Sequence, residues 1–308
     1  MTMAQLSESE FKRLGPIVAA LFPDKPDKTE LEISSLVGGI TNHNLKLSTR
    51  RGKGASVVRF FGADSENLGI NRQREFECSK EAARISVAPE VLGYFPEQAA
   101  LATRFVPGKT LTDKDIQHEP MLKRIVGQIR KLHDQTSFPG QFSVFDITRQ
   151  YRDLSRSHEV ELPQETSQAF DHFAQIESAL KGREKTGPCH NDLLAANFID
   201  DGQNIWILDW EYSASGNTYF DLANFAVNNQ LSADQCEIVV SEYFGEFHES
   251  HLAQLELLMI ASDLRESFWS FVQVALSSLE FDYGEYARKH FHRFLEAVPK
   301  IESCSRQL

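Results

Sequence analysis

The stretch that most constrains this chain is GPCHNDLLAANFIDDGQNIWILDW, residues 187–210. It crowds His190, Asp192, Asn197 and Asp209 around two short apolar runs, NFID and IWILD. Asp201-Gly202 between the runs is a dipeptide suited to a tight hairpin turn. Such a hairpin works as a spacer that returns Asp209 toward the residues around 192 and 197. Two readings of the polar residues are open: they punctuate a loop and cap turns, or they form one reaction centre.

The spacing favours the second reading. Phosphoryl transfer asks little covalent work of a protein; it needs a carboxylate beside the attacking hydroxyl, metal ligands across the polyphosphate, and a fixed in-line arrangement. An H-x-D loop with an Asn five residues after the Asp supplies the base and one magnesium ligand together. His190-Asn191-Asp192 followed by Asn197 has that spacing, and Asp209 closes the next strand as a second oxygen ligand for Mg2+. H-x-D alone arises often by chance, whereas the ordered set with a hairpin between its members is far more specific.

The rest of the chain divides into a strand-rich and a helix-rich part. Residues 29–62 carry apolar stretches at 31–37, 45–47 and 57–61, broken by Gly, Asn and basic turns. A helix is expected over 68–86 with Ile70, Phe76, Ala82 and Ala83 inward, then a hairpin ending in an extended segment at 101–106. Beyond Pro107-Gly108, Thr112 is expected to cap a helix whose inward stripe is Ile116, Leu122, Ile125, Ile129 and Leu132. A further helix over 164–180 and four more helical patterns over 219–298 follow. The expected fold class is α+β and bilobal: a nucleotide-binding lobe at 1–106, a hinge about 104–108, and a larger α-helical lobe at 107–308. The first 30 residues add a helix packed on the small lobe.

Composition narrows the function classes. A net charge of −12 repels nucleic acid, so no nucleic-acid partner is expected. No apolar run reaches the length of a membrane span, and the N-terminus lacks the layout of an export signal, which points to the cytoplasm and no membrane partner. Cys78, Cys189, Cys236 and Cys304 have no paired spacing and read as free thiols.

CHNDLLAANFI, IWILDWEYSASGNTYFDLANF, LVGGITNHNLKL and FWSFVQVALSSLEFDYGEYARKHFHRF together resemble the choline/ethanolamine kinase family, within the aminoglycoside-phosphotransferase and protein-kinase-like fold. The resemblance runs from about residue 35 to 295. It implies an ATP- and Mg2+-dependent kinase with Asp192 as base and Asn197 and Asp209 as metal ligands. Gly38, Gly39, Thr41, Asn42 and Asn44 would approach the phosphates, where glycine permits close backbone contact. Arg59 stands where protein kinases use a strand lysine and can grip phosphate bidentately. Glu75 would hold Arg59, and the backbone of Arg104, Phe105 and Val106 would meet the adenine.

For the acceptor, the resemblance points to Trp269, Tyr283 and Tyr286, with aromatic faces suited to an ammonium group, while Glu211 and Tyr212, directly after Asp209, are expected to line the same cleft with Asn228 and Glu266; aromatic residues at helical spacing also serve as core. Asp221 would brace the catalytic loop. Two departures stand out. Asn228 and Asn229 occupy the helix where the family's choline kinases carry an acidic residue, and Glu266 stands where a second aromatic is expected. The expected acceptor is therefore a small amino alcohol, choline or ethanolamine. The alternatives are thiamine, an aminoglycoside or a sugar on the same fold, or a nucleotide-binding pseudokinase.

Overall fold

The computed structural model describes residues 8–23, 31–36, 42–49, 54–62, 65–277, 279 and 281–308. Helix α1 (Glu8–Leu21) leads into strands β1 (Leu31–Leu36), β2 (His43–Thr49) and β3 (Ala55–Phe60). Then come helix α2 (Arg72–Arg84) and strands β4 (Val91–Phe95) and β5 (Ala100–Arg104). The five strands form one antiparallel sheet in the order β1-β2-β3-β5-β4. Side chains alternate across a strand, so Leu45, Leu47, Val58 and Phe60 bury one face, against Leu14 and Ile17 of α1. That packing is the N-terminal helix expected from sequence. Asn44, paired across from Arg59, and Lys46, paired across from Val57, project on the other face.

Helix α2 is capped by Asn71, whose side chain accepts the Arg74 amide at 2.9 Å. Ile70 and Ala82 are buried as expected, while Phe76 is half-buried and stacks on Tyr94 at 5.0 Å. Glu75 is buried too.

After β6 (Lys109–Thr110) the chain is mostly helical. Thr112 does cap a helix, with a reciprocal bond to Asp115, but α3 (Asp113–Ile116) lasts a single turn. The helix restarts as α4 (Glu119–Gln135) because Pro120, lacking an amide hydrogen, fits a first turn and no later one. The expected stripe of Ile116, Leu122, Ile125, Ile129 and Leu132 is fully buried across both pieces. Helix α5 (Val144–Ser157), which the sequence pattern did not reveal, buries Val144, Thr148, Tyr151 and Ser155 and packs on a later helix. Helix α6 (Thr166–Leu180) precedes β7 (Thr186–Cys189), β8 (Phe198–Asp200), β9 (Ile205–Ile207) and β10 (Ala214–Asn217). β6-β8-β9 form one small sheet and β7-β10 another. Helices α7 (Thr218–Asn228), α8 (Ala233–Phe244), α9 (Glu249–Leu276), α10 (Tyr283–Ala297) and α11 (Lys300–Gln307) complete the larger lobe around α9.

The result is a mixed α+β, bilobal architecture, with a β-rich N-terminal part and a helical C-terminal part. The four cysteines are buried free thiols. Among the described residues no helix is long and apolar enough to cross a membrane.

The small-lobe core depends on α1. Ile17 is fully buried, so Ile17→Ala should cost about 2–5 kcal/mol through lost burial and a residual cavity. A shift of the denaturant midpoint checks this; an unchanged midpoint would mean α1 does not close the sheet.

Candidate active site

The loop after β7 is held by α7. The Asp221 carboxylate accepts the His190 amide at 2.7 Å through Oδ2 and the Asn191 amide at 2.6 Å through Oδ1. His133 Nε2 bonds the same Oδ2 at 3.0 Å, and Tyr243 bonds His133 Nδ1 at 2.7 Å. One turn along α7, Asn224 Oδ1 accepts the Leu193 amide at 2.7 Å, and Asn229 Nδ2 donates to the Leu193 carbonyl at 2.9 Å. Asn191 takes a left-handed backbone with φ of 67°, a conformation that asparagine tolerates. Asp221 thus braces the loop, and Asn229 does the same. His133, Cys189 and Asp221 place ligand-type atoms within 4.8 Å of one another. Asp221 already takes three donors and burial pushes the Cys189 thiol well above its usual pKa, so the cluster reads as a brace.

His190 ties this loop to the end of β9. Its Nε2–H donates to the Leu208 carbonyl at 2.8 Å, leaving Nδ1 to accept the Asp192 amide at 3.2 Å. Burial lowers its pKa below 6.5, matching this neutral form. Asn197 completes the clamp: its Nδ2 donates to the Asp192 carbonyl at 2.9 Å, and its own carbonyl accepts the Leu208 amide at 2.8 Å. Asp209 follows Leu208 directly, with a φ of 66°. Asp192, Asn197 and Asp209 are thereby brought to one place by main-chain bonds on both sides of the hairpin.

A chain of ion pairs joins this centre to the small lobe. Arg59 Nη1 lies 2.5 Å from Asp209 Oδ1 and 3.3 Å from Glu75 Oε1. Arg72 Nη1 donates to Glu75 Oε2 at 2.7 Å and to Glu211 Oε2 at 3.0 Å. Asn42 Nδ2 reaches the same Glu211 oxygen at 3.0 Å. Burial works against the Arg59 charge, but Asp209, Glu75 and Glu211 more than restore it and raise its pKa. Glu211 is pushed up to about 7 by burial and by Asp209, against the pull of Arg72. Asp192, with a side chain 17 % exposed, is pushed up to about 8 by burial; Arg265 opposes this, while Glu266, Asp209 and Glu211 add to it.

The structure brings the expected Arg59–Glu75 pair together and adds Asp209 as the closer partner of Arg59. Sequence reading missed Arg72, although its spacing of three from Glu75 on α2 was visible. Gly38, Gly39 and Thr41 lie outside the described residues. Asn44 sits across from Arg59 on the same sheet face. At the hinge the Arg104 amide donates to the Glu90 carbonyl and the Phe105 amide to the Ala55 carbonyl, each at 2.8 Å.

On the acceptor side, Trp269 Nε1 donates to the Tyr212 hydroxyl at 2.9 Å. Trp269 meets Tyr283 and Tyr286 edge-on, with centroids 6.0 and 6.4 Å apart. Tyr283 is buried and its hydroxyl accepts from Ser277. Glu266 is buried beside Arg265, which pairs with it and lies 3.6 Å from Asp192. Asn228 has both amide atoms buried without partners. Arg265 was not foreseen; its signal is a cation inside the apolar run of α9.

The model of one protein family, choline/ethanolamine kinase, matches residues 33–243. A probable choline kinase 3 of Arabidopsis thaliana is 26% identical over 90% of this chain and 89% of its own. A probable ethanolamine kinase of the same plant is 24% identical over 96% of this chain and 84% of its own. A choline/ethanolamine kinase family protein from Mesorhizobium loti has a crystal structure that superposes with a TM-score of 0.82. It is 26% identical and covers 97% of this chain and 98% of its own.

The buried neutral His190 carries a sign for acid stability. The unfolded imidazole takes a proton near pH 6.5 while the folded one resists it, so stability should fall as pH drops below about 6.5. His190→Gln should flatten that part of the profile, as read from denaturant midpoints between pH 5 and 7.5. An identical slope in the variant would remove His190 as the cause.

Proposed function

The chain belongs to the choline/ethanolamine kinase family, and from that membership we propose that it phosphorylates the hydroxyl of a small amino alcohol, choline or ethanolamine, using ATP and Mg2+. One observation carries the reading: main-chain bonds from His190 and Asn197 hold Asp192 against the strand end that presents Asp209, opposite Arg59. A binding module has no need of that arrangement.

In this reading the Asp192 carboxylate orients the acceptor hydroxyl. As the new O–P bond forms and the bond to the departing ADP breaks, the hydroxyl proton passes to Asp192 and then to solvent. Arg59, steadied by Glu75, holds the phosphates. Asn197 donates its amide hydrogen to the Asp192 carbonyl, which leaves its side-chain oxygen to act as a ligand. That oxygen and the Asp209 carboxylate are hard donors that fit Mg2+. The ion, when bound, supplies positive charge to the polyphosphate oxygens. Trp269 and Tyr286 offer aromatic edges and faces to the ammonium group, and Glu266 offers carboxylate oxygens. Those oxygens favour a primary ammonium, which has N–H donors, over a quaternary one.

Asp192→Ala should lower kcat by about 10²–10⁴-fold with ATP affinity nearly intact, whereas Asp209→Ala should weaken metal-dependent nucleotide binding as well. ADP release over choline, ethanolamine, thiamine, an aminoglycoside and a sugar checks both variants and the acceptor. Turnover confined to the antibiotic or the sugar would overturn the amino-alcohol reading, and full activity in Asp192→Ala would overturn its role.

A further inference from the structure

Helix α9 runs through the interior, and every residue from Asp263 to Ser270 is buried. Asp263 is matched, by His290 Nδ1 at 2.8 Å and Arg293 Nη2 at 3.4 Å. The charges that follow it are shared differently. Arg265 Nη1 pairs with Glu266 and also lies 3.6 Å from Asp192 Oδ1, so one guanidinium atom faces two carboxylates. Among the described residues no other cation pairs with Asp192.

As it stands, Nη1 belongs to Glu266. At 3.6 Å its contact with Asp192 is electrostatic and too long for a hydrogen bond, which needs about 3.0 Å. Little else anchors the guanidinium. Its Nε and Nη2 are buried without hydrogen-bond partners, and its other contact is the face of the Tyr212 ring at 4.8 Å, which involves no directional bond. A shift of roughly half an ångström would therefore give Asp192 a hydrogen bond, and only Glu266 would lose one. Charge supplies the drive for that shift. Two largely buried carboxylates share one cation here, and a buried carboxylate without a partner is costly. An ammonium group arriving at Glu266 brings the second cation and leaves Arg265 to Asp192.

We propose that Arg265 is a positioning residue for Asp192, handed over from Glu266 when the ammonium group of the acceptor takes Glu266. This deepens the amino-alcohol kinase reading and rests on it. The ammonium then acts in the transfer step as well as in binding, because the carboxylate that orients the hydroxyl is fixed only once Glu266 is engaged. A neutral alcohol of the same shape leaves Arg265 on Glu266, and Asp192 without its hydrogen bond.

Isosteric pairs that differ only in that charge test the hand-over: ethanolamine against 1-propanol, and choline against 3,3-dimethyl-1-butanol. In the wild type the ammonium member should exceed its isostere by about 10–100-fold in kcat, the worth of one charge-assisted hydrogen bond, beyond any difference in KM. Glu266→Gln releases Arg265 at all times, so it should raise kcat for the neutral isostere and raise KM for the ammonium member. A loss of stability cannot produce that gain. Arg265→Met combined with Glu266→Gln removes both charges together and should abolish the gain, while Arg265→Lys combined with Glu266→Gln should recover part of it. Equal kcat for the two members in the wild type, or a Glu266→Gln variant that changes KM alone, overturns the proposal. A crystal structure with ethanolamine is a second arm that needs no turnover. Arg265 Nη1 within about 3.0 Å of Asp192 sustains the hand-over; Nη1 still on Glu266, or no ethanolamine bound, overturns it. Should the wild type release no ADP with any acceptor, the kinase reading fails on its own, and wherever neither pair is turned over the crystallographic arm alone decides.

Discussion

The site depends on one buried carboxylate. Asp221 takes two consecutive loop amides and a histidine. Because those amides are buried, the alternative to Asp221 is two unmet donors, each costing about 1–3 kcal/mol. The loop is therefore bound to the position of α7, and Asn224 and Asn229 extend the same grip to Leu193. His190 then transmits that position across the hairpin to Leu208, so the placement of Asp209 follows from the placement of Asp221.

Above this frame, charge is unbalanced by design of the sequence. Asp192, Asp209, Glu75, Glu211 and Glu266 face Arg59, Arg72 and Arg265, five carboxylates against three guanidiniums. Burial makes each unmatched carboxylate expensive, and the excess shows as the raised pKa of Asp192 and Glu211. A centre with surplus oxygen donors in a partly enclosed cleft suits a divalent cation better than it suits further arginine. The same chain of pairs links the sheet, α2 and the segment after β9, so any relative movement of the lobes must rearrange Arg59 and Arg72 first.

Much of this was legible from particular residues. The spacing of Asp192, Asn197 and Asp209 around Asp201-Gly202 disclosed the centre because a hairpin converts sequence spacing into spatial proximity. The apolar stretches at 31–37, 45–47 and 57–61 disclosed the first three strands. The break in α3–α4 was hidden because the apolar period continues through Gln117 and His118 in spite of Pro120. Helix α5 was hidden because half of its buried face, Thr148 and Ser155, is polar and bonded to its own preceding turn. Amide commitments such as Phe105 to the Ala55 carbonyl depend on strand register, which side-chain patterns do not encode. Arg265 was missed for a different reason: one charge in an apolar helix gives no hint of what it faces.

That last residue bears on how such a fold divides its work. The loop, hairpin and Arg59, which the proposed function assigns to the transfer step, are held by main-chain bonds and short ion pairs, which tolerate little change. Helix α9 supplies Arg265, Glu266 and Trp269 as side chains from a continuous helix whose backbone bonds are complete within it. Substituting them would alter the proposed acceptor wall while the helix persists, provided the buried charges stay matched. Neighbouring residues Arg265 and Glu266 satisfy that condition as a pair, because their charges cancel locally whatever the rest of the wall carries. The pair is not neutral toward Asp192, whose pKa burial raises: Arg265 opposes the rise while Glu266 adds to it.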